Sequence, residues 1–125
     1  MGLSDYFETT EGTGILATAD SDGNVDLAIY ARPHITDDET VVLVMSDKLS
    51  HTNLQNNPKA AYMFIEKNKG YSGKRLYLQK IREENDAELV QSIRRRKRYG
   101  QEGETVSGSS AVYFKVNKIR PLVGD

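Results

Sequence analysis

The chain has no cysteine, no tryptophan, three prolines and two histidines in 125 residues. Without cysteine, disulfides, thiolate catalysis and cysteine-ligated zinc are excluded together. His34 and His51 stand far apart with no carboxylate pattern around them, so no metal site is expected. Neither sign of charge is in excess: 17 basic and 18 acidic residues leave a net charge of -1, which gives no electrostatic basis for general nucleic-acid binding. No apolar run approaches the roughly 20 residues of a membrane span. The N-terminal MGLSDYFETT is acidic and poor in apolar residues, unlike a signal or transit peptide, and Tyr6 stands where myristoylation wants Ser or Thr. These absences lead to the expectation of a cytoplasmic protein with no membrane attachment.

What is present is enough for one domain over residues 1–125, with a real core but a size at which dimerisation would add usefully to buried surface. Ser4 opens a brief amphipathic helix that ends near Gly12, with Asp5 favouring its N-terminal dipole. The pattern then becomes β. Residues 14–19 (GILATA) and 25–31 read as two strands joined by Ser21-Asp22-Gly23-Asn24, where Asp-Gly supplies the positive φ of a hairpin turn. Pro33 ends the second strand, residues 36–39 form a polar turn, and residues 40–45 read as the third strand.

The strand VVLVM then empties into SDKLSHT and a short helix cut off by Asn56-Asn57-Pro58. Polar residues at a helix N-terminus are a means of holding an anion, typically phosphate. Asp47 or Ser50 can cap this helix, and Lys48 adds a positive charge beside its exposed N–H groups. Most such turns bind nothing, so the motif has to be weighed with the rest of the chain.

Residues 60–66 (AAYMFIE) read as strand four, apolar enough to suggest burial on both faces. After the glycine-containing loop 68–73, residues 74–82 alternate as strand five, with Leu76, Leu78 and Ile81 near one side and Arg75, Tyr77 and Gln79 on the other. Residues 84–99 switch to helical period, with Asn85 as cap, acids first and RRRKR last. That order complements the helix dipole and favours a solvated last turn over a nucleic-acid patch. Residues 100–110 read as a Gly/Ser/Glu-rich loop, and 111–116 with 118–123 as the last extended run. The expected fold is mainly β (α+β): a six-stranded antiparallel split barrel with two to three short flanking helices.

GILATADSDGNVDLAIY, VVLVMSDKLSHTNLQNNPKAAYMF, GYSGKRLYLQKIRE and AVYFKVNKIRPL, in this order, resemble the FMN-binding split-barrel family that includes pyridoxamine 5′-phosphate oxidase and small bacterial FMN-binding proteins. The match covers almost the whole chain, and Leu54 to Ala61, L-x-x-N-P-x-A-A, is its most recognisable piece. The resemblance implies FMN as cofactor, a homodimer with flavin sites at the subunit interface, and no nucleic acid or membrane as partner. It implies a site drawn from Ala28, Ile29, Tyr30, Ala31 and Arg32 on the second strand, Val44 and Ser46 on the third, Lys48, Leu49 and Ser50 in the turn, and Arg75 on the fifth.

Lys48 falls at the family's common Ser, and Leu49 with Ser50 at its Arg-Lys or Lys-Thr pair, so Leu49 leaves the usual cationic clamp incomplete. Arg32 either replaces the missing charge or is an arginine at a strand end. Arg75 would place a fixed charge near a ring carbonyl and raise the flavin potential. Tyr30, Tyr71 and Tyr77 either edge the ring or pack on the sheet.

No catalytic acid–base pair stands out, as suits hydride chemistry supplied by a flavin. The reading that follows is a flavin-dependent oxidoreductase or electron carrier with unknown substrate. A pyridoxamine phosphate oxidase proper is set aside, because the chain is short and lacks that enzyme's C-terminal arginine-rich segment. Two alternatives stay open: a cofactor-free binding or regulatory module, and a split barrel loaded with deazaflavin or haem.

Overall fold

Period-two alternation sets most of the chain. The structure, a computed structural model, describes residues 2–37, 39–46, 48–68, 70–95 and 109–124. Its elements are α1 (Leu3–Thr9), β1 (Gly12–Ala19), β2 (Val25–Tyr30), β3 (His34–Asp37), β4 (Thr40–Ser46), α2 (Leu49–Asn56), β5 (Lys59–Glu66), β6 (Gly73–Glu84), α3 (Ala87–Arg95) and β7 (Ser109–Pro121). The strands form one antiparallel sheet in the order β2-β1-β5-β6-β7-β4-β3. Among the described residues its two edges, β2 and β3, do not pair, so the barrel is split.

One face of the sheet is the core. Leu16, Tyr62, Phe64, Leu76, Leu78, Phe114, Val41, Leu43 and Met45 come from alternate positions of five strands and are buried together with Leu3, Phe7 and Leu54 of the first two helices. Phe7 sets its ring edge-on to Phe64 and Tyr62, at 5.2 and 6.2 Å between centroids. Burial of side chains this size is the main stabilising term. Helix α1 packs against β3. Its carbonyls are held by Arg32, whose Nη1 donates to the Phe7 and Thr10 carbonyls at 2.5 and 3.0 Å. A second, smaller core forms on the opposite face, where Val90 and Ile93 of α3 cover Val42, Ala111 and Tyr113.

The sequence expectations hold in architecture and differ in detail. There are seven strands, not six: residues 34–37 pair His34 with Val42 and Ile35 with Val41, and the turn is tightened by the Asp37 carboxylate accepting the Glu39 N–H at 2.8 Å. The last extended run is one strand from Ser109, so Ser109 and Ser110 are buried strand residues, not loop. Ser4 does not cap α1: the N-cap is Gly2, and the Ser4 hydroxyl donates to Glu8 instead. Asp86, not Asn85, caps α3, accepting the Glu88 and Leu89 N–H groups at 2.8 and 3.4 Å, while the Asn85 side chain accepts from Ser110.

The predicted helix start at residue 84 gives way because β6 runs on to Glu84. Strand β5 is buried on one face only, since Ala61, Met63 and Ile65 are no more than half-buried. Ile81 does not share the Leu76–Leu78 side and is 52% exposed: alternation from those two residues reaches Lys80, opposite Phe114, and Ile81 stands at the register shift before Arg82, opposite Tyr113. The side chains of the basic run 94–98, Asp47 and the predicted loop at 100–108 lie outside the described residues.

Candidate functional site

The antiparallel order fixes which site residues can meet. Strands β1, β4 and β6 run one way and β2, β5 and β7 the other, so α2, joining the end of β4 to the start of β5, sits at one end of the barrel. Arg32, after β2, and Arg75, near the start of β6, sit at the other. Arg75 is eight residues from Glu83, which contacts α2, or about 26 Å along an extended strand.

At the α2 end, Lys48 is the N-cap, with extended backbone and no side-chain cap bond, and its N–H donates to the Ser46 carbonyl at 2.8 Å. The first intrahelical bond runs from the Thr52 N–H to the Lys48 carbonyl at 3.0 Å. The N-cap residue thus leaves first-turn N–H groups to other acceptors, the condition for anion binding. Lys48 and Leu49 are exposed, whereas Ser50 is only 4% exposed and faces inward beside Asn53. Asn53 donates to the Thr18 hydroxyl at 3.0 Å, pinning α2 to β1. Asn57 ends the helix: its N–H donates to the Asn53 carbonyl, and its side-chain oxygen accepts the Lys59 N–H.

A polar network that the sequence reading missed clamps α2 to β6. Glu83 accepts from Lys80 Nζ at 2.7 Å and Gln55 Nε2 at 3.0 Å, and its other oxygen lies 2.9 Å from His51 Nε2. Burial alone would push the Glu83 carboxyl up, but the hydrogen bonds from Lys80, Gln55 and His51 prevail and hold it at about 2, against an ordinary 4.5. Lys80 and Glu83, three apart, would point to opposite faces of a regular strand. The register shift at Ile81 turns both toward the core side. The signal that could have been read is His51 and Gln55 at i,i+4, which share a helix face.

Strand β2 offers a different surface. Val25, Leu27 and Ile29 point away from the core and are 81%, 70% and 78% exposed. Pairing register sets Ile15, Ala17 and Ala19 of β1 beside them and Met63 and Ala61 of β5 beyond. As an edge strand, β2 keeps one row of backbone N–H and C=O groups unused by the sheet. Ala28 and Tyr30 are half-buried, and the Ala31 carbonyl accepts the Tyr62 hydroxyl at 3.1 Å.

The remaining expected residues fall elsewhere. Val44 packs against the small core under α3. Arg75 Nε donates to the Pro121 carbonyl at 2.8 Å and its Nη2 to the Gly124 carbonyl, so it binds down the C-terminal end of β7. Arg32 binds the α1 carbonyls at the far end from Lys48. A guanidinium on two carbonyls makes charge-assisted bonds. Arg32→Ala is therefore expected to destabilise the fold by about 2 kcal/mol, measured as a lower urea midpoint; an unchanged midpoint would show that these bonds add nothing. Within one chain, then, Ser46, Lys48, Leu49 and Ser50 come together, and Arg32 and Arg75 do not join them. Tyr71 is 85% exposed, and Tyr77 lies half-buried under Arg120.

The chain belongs to the pyridoxamine 5′-phosphate oxidase family, whose sequence profile matches residues 5–122. Solved structures agree in fold. An FMN-binding protein from Syntrophomonas wolfei subsp. wolfei superposes with a TM-score of 0.77 at 19% identity, over 98% of this chain and 84% of that one. An F420 reductase gives 0.73 at 14% identity, over 96% and 98%. HutZ, the haem storage protein of Vibrio cholerae, gives 0.69 at 19% identity, over 96% and 94%. No curated protein matches the chain in sequence. Among the described residues no helix is long and apolar enough to cross a membrane, and no group of three or more His, Asp or Glu residues is placed to hold a metal ion.

Proposed function

We propose that the protein is an FMN-binding oxidoreductase or electron carrier that works as a homodimer. The observation that carries this reading is the outward face of β2, β1 and β5, where Val25, Leu27 and Ile29 stand exposed beside Ile15, Ala17, Ala61 and Met63. A contiguous apolar face of this kind marks a binding surface, and a flat ring and a second copy of the chain can share it. The open edge of β2 supplies alternating N–H and C=O groups suited to the polar rim of an isoalloxazine ring.

The residues present fit a flavin nucleotide in part. The first turn of α2, with Lys48 and its N–H groups, suits a phosphate, and Leu49 withholds the second cation. Because Arg75 and α2 lie at opposite ends of one barrel, a flavin touching both kinds of residue would draw them from two subunits, which supports the dimer. When bound, FMN would supply the electron or hydride transfer; the chain's own part is to anchor the phosphate, lay the ring on an apolar surface and exclude water.

Titrating purified protein with FMN, followed by quenching of flavin fluorescence, tests the cofactor. Saturable one-to-one binding per chain is expected, and absence of binding to both FMN and FAD would overturn it. Light scattering tests the assembly: the wild type should be a dimer and Leu27→Asp a monomer with at least tenfold weaker FMN affinity. A monomeric wild type that binds FMN would refute the shared site.

A further inference from the structure

The bulge in β6 carries two side chains the wrong way round for their polarity. Leu76 and Leu78 point into the core, and alternation brings Lys80 to the next inward position, opposite the buried Phe114. Its side chain is only 15% exposed. Ile81, the residue that the bulge inserts, is left 52% exposed and shares with Arg82 the place opposite Tyr113. A charge inside with an aliphatic chain outside runs against the usual preference. The polar partners account for it. Lys80 Nζ lies 2.7 Å from Glu83, Glu83 reaches His51 and Gln55 of α2, and the Lys80 N–H donates to the carbonyl of Pro58, just past that helix, at 2.7 Å.

Moving the bulge by one residue would exchange these two side chains and leave the rest of the ladder in register. With Lys80 as the inserted residue, Ile81 would stand opposite Phe114, while Gln79 stays opposite Lys115 and Arg82 opposite Tyr113. Among the described residues only glycines take a positive φ, so the bulge is of the kind that any L residue can occupy. The second position would bury Ile81 on the Leu76–Leu78 side, where the sequence pattern expects it. It would also break the Lys80–Glu83 pair and turn Lys80 outward beside the exposed Lys115, a like charge. The two arrangements therefore trade one apolar side chain against one ion pair.

We propose that this bulge is a two-position switch: it clamps α2, and with it the turn at Lys48, when Lys80 is inside, and loosens that helix when Ile81 takes the inner place. The coupling to ligand rests on the reading of the Lys48 turn as a phosphate site. A phosphate bound there favours the clamped arrangement, and by linkage any substitution that favours Lys80 inside raises phosphate affinity.

Methyl NMR of the full chain, labelled at the isoleucine δ1 carbons, reads the switch without a ligand. Ile81→Val identifies the Ile81 signal by removing it. Lys80→Glu should move the bulge completely, because the new carboxylate is repelled by Glu83 on the inner side and meets Lys115 on the outer side. The Ile81 methyl signal should then shift upfield and show cross-relaxation with the Phe114 ring. Glu83→Gln, which weakens the pair, should shift the signal the same way to a smaller extent and decides the matter alone if Lys80→Glu does not fold. An Ile81 methyl that keeps the position of an exposed side chain in the folded variants overturns the switch.

Calorimetric titration with inorganic phosphate reads the coupling. Adding Ile81→Thr to Glu83→Gln withdraws the apolar competitor for Phe114, so phosphate affinity should recover by about fivefold over Glu83→Gln alone. A network that merely ties α2 in place would gain nothing from a change at Ile81, which lies on the outer side of the sheet, so absence of recovery overturns the coupling. Wild-type protein that binds no phosphate would refute the reading of the Lys48 turn, while the methyl shift would still decide the switch. The two therefore fail separately.

Discussion

Gly14→Ala is expected to destabilise the fold severely, although it adds a single methyl group. A Cβ at Gly14 would stand 1.9 Å from the Tyr62 hydroxyl, 2.5 Å from Tyr62 Cζ and 2.6 Å from the Tyr30 carbonyl. Two of these are parts of a ring that is 1% exposed, and the third is backbone of the paired strand, so no neighbour can swing aside. Tyr62 would have to give up its bond to the Ala31 carbonyl and push into Phe7, or β2 would have to leave β1. Overpacking of a filled core costs about 1–3 kcal/mol and sometimes more, and here a buried hydrogen bond is lost as well. A loss of about 4 kcal/mol is expected from the two together, seen as a melting temperature lower by 10 °C or more. In the Tyr62→Phe background the 1.9 Å contact disappears while the other two remain, so the added cost should shrink but not vanish. Equal stability of Gly14→Ala and wild type would show that β1 and β5 do not approach as closely as described.

Gly14 also shows what a sequence pattern can and cannot carry. Within GILATA it reads as a strand residue of no special weight, because what makes it necessary is a tyrosine from β5 crossing the barrel. The β1–β2 hairpin, by contrast, is written locally. Asp20 accepts the Asp22 and Asn24 N–H groups, each at 2.9 Å, and Gly23 takes φ 87°, the conformation that Asp-Gly favours. The Asp20 carboxyl is held below its usual range by the bonds from Asn24 first. The stop at Asn56-Asn57-Pro58 is equally local. Strand β3 was not legible, since His34-Ile35-Thr36-Asp37 has one apolar residue and exists because β4 gives it a partner.

The candidate site's arrangement was legible where it follows the chain and illegible where it depends on which end of the barrel a residue reaches. Ser46, Lys48, Leu49 and Ser50 are neighbours in sequence and stay so in space. Arg32 and Arg75 were placed by resemblance alone, and both turn out to hold backbone carbonyls, of α1 and of the C-terminal end. The apolar run in β5 pointed to a strand buried on both faces; its outward half is instead continuous with the exposed residues of β2. Periodicity reports that a face is apolar, and it does not distinguish a face covered by the same chain from one left for a ligand or a second copy.

Removing the charge of Glu83 should change both stability and its dependence on pH. The folded-state carboxyl sits at about 2 against an ordinary 4.5, so its contribution is fully present above pH 4.5 and is lost as the pH falls through 2. At about 1.4 kcal/mol per pH unit, that gap corresponds to about 3 kcal/mol at most, and solvent contact of the group, whose side chain is 18% exposed, brings the expectation to about 2 kcal/mol. Glu83→Gln keeps the shape and can still accept from Lys80 and Gln55. It should therefore be about 2 kcal/mol less stable at pH 7 and indistinguishable from wild type at pH 2, with the difference closing between. Urea unfolding across that range reads the effect. A constant difference at all pH values would mean that packing, not charge, is lost, and a difference that grows on acidification would contradict the sign of the shift. Because the network ties α2 to β6 through His51 and Gln55, the same variant should also weaken binding of a phosphate at the Lys48 turn, read by calorimetric titration.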